Sequence, residues 1–137
     1  MKVRVERKID AAHFLPDYSG PCGRMHGHSW KIIVEIEGSV NPETGMVIDF
    51  RDVKRIIDEL DHQLLNDFIE YPTAENLVRY LLDKLLDLRI HNPKIQEIKG
   101  ILVRVYESED CYVEESLEMH GGCDECGVYP LIHSATK

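Results

Sequence analysis

Between residues 2 and 13 the chain reads KVRVERKIDAAH, with apolar Val3, Val5 and Ile9 on one face of an alternating pattern. Period-two alternation is the mark of a half-buried strand, so a first strand is predicted here. Pro16, Asp17, Gly20, Pro21 and Gly23 break the pattern and make residues 14–25 a long loop. Alternation returns in HGHSWKIIVEIEG (26–38), where Trp30, Ile32, Val34 and Ile36 share one side of a second strand. SVNPETG (39–45) is turn chemistry.

The period then changes. In DFRDVKRIIDELDHQLLND, Val53, Ile56, Ile57, Leu60 and Leu64 form a helical stripe, with Asp49 placed to cap its start. Tyr71-Pro72 interrupts it. Thr73 is positioned to cap a second helix reaching about Leu88, with Leu77, Leu81, Leu85 and Leu88 facing inward. IQEIKGILVRVYES and CYVEESLE follow as two strands around Glu109-Asp110. The order ββααββ predicts an α+β fold, a four-stranded antiparallel sheet with two helices on one face. Residues 1–118 form the expected domain and 119–137 an extension without strand or helix period.

Composition narrows the function. A chain of 137 residues supports one domain with its own core. The net charge of −9 argues against nucleic-acid binding, which needs a basic footprint. No apolar run approaches the roughly 18 residues of a membrane span, and MKVRVERKID has no signal-peptide core, so a cytoplasmic protein without a membrane partner is expected. In that compartment Cys22, Cys111, Cys123 and Cys126 read as thiols or metal ligands before disulfides.

The densest chemistry lies in CGRMHGHSW (22–30). On a strand, residues i and i+2 share a face, so His26 and His28 aim at one point. If the first two strands pair as a hairpin, His13 lies near His28 and brings a third imidazole. Three histidines with an open position are the arrangement of a catalytic zinc. Cys22, in the intervening loop, sits where a nearby cation would lower its pKa and make it a base or nucleophile. The plainer reading has solvent-facing histidines and an inert thiol.

Together, DAAHFLP, CGRMHGHSW, GMVIDFRDVK, LDHQLLND, PTAENL and VRVYES resemble the 6-pyruvoyl-tetrahydropterin synthase superfamily, and within it the 6-carboxy-tetrahydropterin synthases. The resemblance implies a tunnelling fold, whose subunits join their sheets into a barrel as trimers, often paired into hexamers. It implies that His13, His26 and His28 bind Zn2+ and that Cys22 is the catalytic base. It also implies that Asp61 and His62 form a catalytic pair at a subunit interface and that Glu107 grips the pterin. From spacing alone, Asp61-His62 reads as a helix C-terminus and Glu107 as a surface acid at a strand end. Thr73 falls in a matching substrate-side segment, although helix capping explains it equally, as the helix dipole explains Glu75. Arg24 is the candidate cation for a substrate triphosphate.

The implied substrate is 7,8-dihydroneopterin triphosphate. The three-residue gap between Cys22 and the H-G-H motif, in a loop without Glu, resembles the members that make 6-carboxy-tetrahydropterin and release acetaldehyde and triphosphate, as in a queuosine-type 7-deazaguanine pathway. The alternatives are a pyruvoyl or folate-type product, or a non-catalytic metal-binding assembly protein. The tail departs from the family pattern. His120, Cys123, Cys126 and His133 give H-x2-C-x2-C-x6-H, open to a second metal, a redox dithiol, or no chemistry.

Overall fold

The computed structural model describes residues 1–120, and its elements follow the order ββααββ. They are β1 (Lys2–His13), β2 (His26–Gly38), α1 (Phe50–Asp58), α2 (Ala74–His91), β3 (Ile98–Ser108) and β4 (Cys111–Glu118). Short 3-10 turns at Pro21–Gly23 and Leu65–Asp67 lie in the connections. The strands pair antiparallel in the order β1-β2-β3-β4. No described helix is long and apolar enough to cross a membrane.

Alternation decides which face of the sheet is dry. Val5 and Ile9 of β1, Trp30, Ile32, Val34 and Ile36 of β2, and Ile101, Val103 and Val105 of β3 join one buried cluster. The helices complete it with Val53 and Ile57 from α1 and Leu77, Leu81, Leu82 and Leu85 from α2. The caps follow local chemistry: Asp49 accepts from the Arg51 N–H at 2.8 Å and Thr73 from the Asn76 N–H at 3.1 Å. Arg7 clamps the last residue of α1, Asp58, through two bonds of 2.7 and 3.0 Å.

The first helix is shorter than its apolar stripe. The periodicity runs to Leu64, yet α1 stops at Asp58. The competitor is the outer edge of β1. There the Asp10 N–H donates to Asp61 Oδ1 at 2.9 Å, and the Asp10 carbonyl accepts from the His62 N–H at 2.7 Å. The Ala12 N–H donates to the Gln63 carbonyl at 3.0 Å, and Leu64 bridges Ala12 in parallel. An N–H has one proton to donate, so the His62 N–H that serves β1 cannot also close a helical turn onto Asp58. Leu65, rather than Leu64, therefore takes the fully buried position.

Two predictions follow from this packing. Leu81→Ala empties a fully buried position between helix and sheet and is expected to cost about 2–5 kcal/mol in urea unfolding. Asp49 is held below the usual carboxylate range, first by the Arg51 side chain and then by its backbone N–H. A carboxyl with a depressed folded pKa adds stability above its unfolded value and loses it as the pH falls through the folded one. Asp49→Ala is therefore expected to melt below the wild type at pH 7, with the gap closing below about pH 4.

Candidate metal centre and active site

The hairpin register builds the centre. β1 and β2 pair so that His13 lies opposite His26 and Ala11 opposite His28. His13 thus faces His26 directly and His28 on the diagonal, near it as expected with ring centroids 5.1 Å apart, and all three rings share one face. One ring nitrogen from each lies within 4.8 Å of the other two. Trp30, fully buried two residues along the same face, meets His13 and His28 edge-on at 5.0 and 5.2 Å. Its indole N–H donates to the Ala11 carbonyl at 3.2 Å, which pins the ring to the hairpin.

The rings are oriented from behind. His13 Nδ1 lies 2.7 Å from the Pro72 carbonyl and His26 Nδ1 2.6 Å from the Arg24 carbonyl. A carbonyl behind Nδ1 selects the tautomer with a proton there and turns the lone pair of Nε2 forward. Among the described residues, His13, only 2% exposed, and His28 each leave Nε2 buried with no hydrogen-bond partner. Native structures rarely leave such atoms unpaired. Burial, the dominant influence, lowers the pKa of His28 despite the opposing effect of Glu107, so the ring favours its neutral, ligating form. Three imidazoles with convergent ring nitrogens fit a divalent ion of the zinc type.

The other candidates relate to this centre in different ways. Glu107, near the end of β3, brings Oε1 to 3.6 Å from His28 Nε2. Cys22 lies in the Pro21–Gly23 turn, a free, half-buried thiol outside the histidine cluster, and its carbonyl accepts from the Leu15 N–H at 2.9 Å. Arg24 reaches the centre through its carbonyl, whereas its side chain is exposed. Thr73 caps α2 beside the Pro72 carbonyl that holds His13.

Asp61 and His62 do meet. The helix has ended by Asp58, and His62 turns with φ 58°, which brings Nδ1 to 3.0 Å from Asp61 Oδ1. A non-glycine residue at positive φ is uncommon and needs surrounding support, which here comes from the β1 edge. The backbone bond from Asp10 is the main reason Asp61 sits below the usual carboxylate range. With Asp10 these two residues form a second group, separate from the three histidines, and the His62 side chain is 78% exposed. His120 is exposed at the end of the described residues, while Cys123, Cys126 and His133 lie outside them.

Sequence reasoning missed several supports: Trp30 under the rings, the Pro72 carbonyl, and Gly23. A side chain on Gly23 would collide with the Tyr18 carbonyl, so the turn that seats Cys22 requires glycine after it. The Cys-Gly pair was the available signal for Gly23. The Pro72 contact spans 59 residues and has no local signature.

Residues 2–118 match the sequence profile of the family described as 6-pyruvoyl tetrahydropterin synthase. An Archaeoglobus fulgidus protein provisionally named 6-carboxy-5,6,7,8-tetrahydropterin synthase is 39% identical over 118 residues, 83% of this chain and 94% of its own. The human 6-pyruvoyl tetrahydrobiopterin synthase is 33% identical over 105 residues, 66% of this chain and 67% of its own. Among solved structures, the Caenorhabditis elegans 6-pyruvoyl tetrahydropterin synthase superposes with a TM-score of 0.65 at 23% identity, over 88% of this chain and 96% of that one. With this sheet, this helix pair and this histidine centre, the chain belongs to the 6-pyruvoyl tetrahydropterin synthase family of pterin synthases.

Proposed function

We propose that this chain is a zinc-dependent lyase that converts 7,8-dihydroneopterin triphosphate and water into 6-carboxy-5,6,7,8-tetrahydropterin, acetaldehyde and triphosphate. The observation that carries this reading is the convergence of His13, His26 and His28 beside Glu107. Relatives named for that product support the choice, the Archaeoglobus protein at 39% identity and a Synechocystis protein at 38% over 91 residues, 58% of this chain and 70% of its own. Zinc held by the three histidines would supply a Lewis acid toward the side-chain oxygens of the substrate.

The remaining work falls to side chains. Glu107 accepts two parallel N–H bonds from the 2-amino-pyrimidinone edge, as a carboxylate does from arginine, and fixes the ring plane. Cys22, as thiolate, removes a proton from a side-chain carbon. His62, oriented by Asp61, handles a second proton. Arg24 meets the triphosphate, and Thr73 keeps its O–H proton for a substrate oxygen while its lone pair caps α2.

Assembly completes the site. The backbone of β1 is covered on its outer edge from Asp10 to Phe14, but no described backbone pairs with that edge from Lys2 to Lys8. Open edges favour pairing with another copy. Closure into a trimer or hexamer would carry one copy's exposed Asp61–His62 pair to a neighbour's histidine centre. The competing reading is a 6-pyruvoyl product, the activity in the human relative's name. It shares the early proton transfers and lacks the carbon–carbon cleavage.

Product analysis tests the proposal. Anaerobic incubation of zinc-loaded protein with the triphosphate substrate is expected to release acetaldehyde and the 6-carboxy pterin. A pyruvoyl product would select the competing reading, and no turnover would leave a metal-binding protein without this activity. Cys22→Ala is expected to keep its zinc and lose about 10²–10⁴-fold in turnover, the usual worth of a general base. Glu107→Gln, which removes a charge-assisted contact, should raise KM by about 10–100-fold. His13→Ala should abolish zinc retention, read by metal analysis in a Cys123→Ser/Cys126→Ser background so that tail thiols add no metal.

A further inference from the structure

Resting on the three-histidine metal reading, we infer that Asn66 is a positioning residue of the metal centre, holding the backbone that carries His13. β1 and its pairing with β2 end at His13, so Phe14 has no strand partner among the described residues. Asn66, in the 3-10 turn Leu65–Asp67, supplies one from its side chain. Its Oδ1 accepts from the Phe14 N–H at 3.0 Å, and its Nδ2 donates to the Phe14 carbonyl at 2.9 Å. A primary amide offers the same donor and acceptor as a peptide group, so Asn66 continues the edge pairing of Asp10 and Ala12 by one further residue.

That residue is adjacent to the most deeply buried of the three histidines. The ring of His13 is held by the Pro72 carbonyl, and the next residue of its chain, Phe14, is held at both its N–H and its carbonyl by Asn66. Pro72 is itself held in place: the Tyr71 carbonyl before it accepts from Asn76 Nδ2 and the Thr73 N–H, both at 2.8 Å. The β1–β2 ladder places His13 opposite His26, and residues 66–76, which supply none of the three imidazoles, brace it there through its ring and through the residue that follows it. The clamp also lies next to Leu15, whose N–H bonds to the Cys22 carbonyl. Loosening residue 14 therefore loosens the histidine on one side and the thiol turn on the other.

Asn41 provides a matched control. It is buried, and its amide makes a comparable pair of backbone bonds, from Nδ2 to the Lys94 carbonyl and from the Glu43 N–H to Oδ1, both at 2.8 Å. Among the described residues its side-chain hydrogen bonds go to Lys94 and Glu43, not to a histidine. The test is zinc affinity by competition with a chromophoric chelator, on full-length chains carrying Cys123→Ser/Cys126→Ser. Asn66→Ala is expected to bind zinc about 10–100-fold more weakly, the usual effect of losing an outer-shell support, while Asn41→Ala binds as the unsubstituted chain does. Should Asn66→Ala not fold, Asn66→Gln replaces it: the amide is kept but displaced by one methylene, and weaker binding is again expected. Unchanged affinity in the Asn66 variant, or equal loss in both variants, would overturn the inference and leave the metal centre standing. Absence of zinc binding in the parent chain would overturn the metal reading and this inference together.

Discussion

The pairing of β1 with β2 sets His13 opposite His26, and nearly every feature of the centre depends on that register. Side chains on a strand alternate between faces, so a slip of one residue would turn His13 away from the other two. The register is secured by burial. Val5 and Ile9 on β1, with Trp30, Ile32 and Val34 on β2, occupy the same face as the histidines. Moving the ligands to the solvent face would move the hydrophobic set with them. The cost of exposing the core therefore protects the geometry of the site.

The same strand organises the surrounding chemistry through its outer edge. Residues 61–66 give up the continuation of α1 to pair with Asp10, Ala12 and Phe14. That exchange satisfies backbone groups that would otherwise be open. It also forces His62 into a left-handed turn where its ring meets Asp61. The metal centre and the acid–histidine pair are thus on opposite sides of one structural decision, the folding of a post-helical segment onto β1.

Much of this was legible in the sequence because it depends on period and local chemistry. The bounds of β2 coincide with the alternating run from His26 to Gly38, and both helix caps fall on Asp49 and Thr73. The end of α1 was not legible: Leu60 and Leu64 continue the helical period, and only a strand more than 50 residues upstream explains the stop. The nearness of His13 to His28 was legible, but its direct pairing with His26 was not, since a twelve-residue loop (14–25) does not dictate hairpin register as a two-residue turn does. Asp61-His62 read from spacing as a helix C-terminus; α1 does end just before it, at Asp58, and the left-handed turn at His62, which spacing did not reveal, lets the two side chains meet. The supports from Asn66 and Pro72 are long-range contacts made by common residue types, which leave no trace in composition or spacing.

Zinc K-edge absorption on the loaded chain, with Cys123 and Cys126 replaced by serine, addresses the metal centre most directly. Three imidazole nitrogens at about 2.0–2.1 Å, with oxygen completing the shell and no sulfur, is the expected result for His13, His26 and His28. A sulfur scatterer near 2.3 Å would contradict it, because a cysteine, Cys22 or Cys111, would then occupy the position the account leaves open.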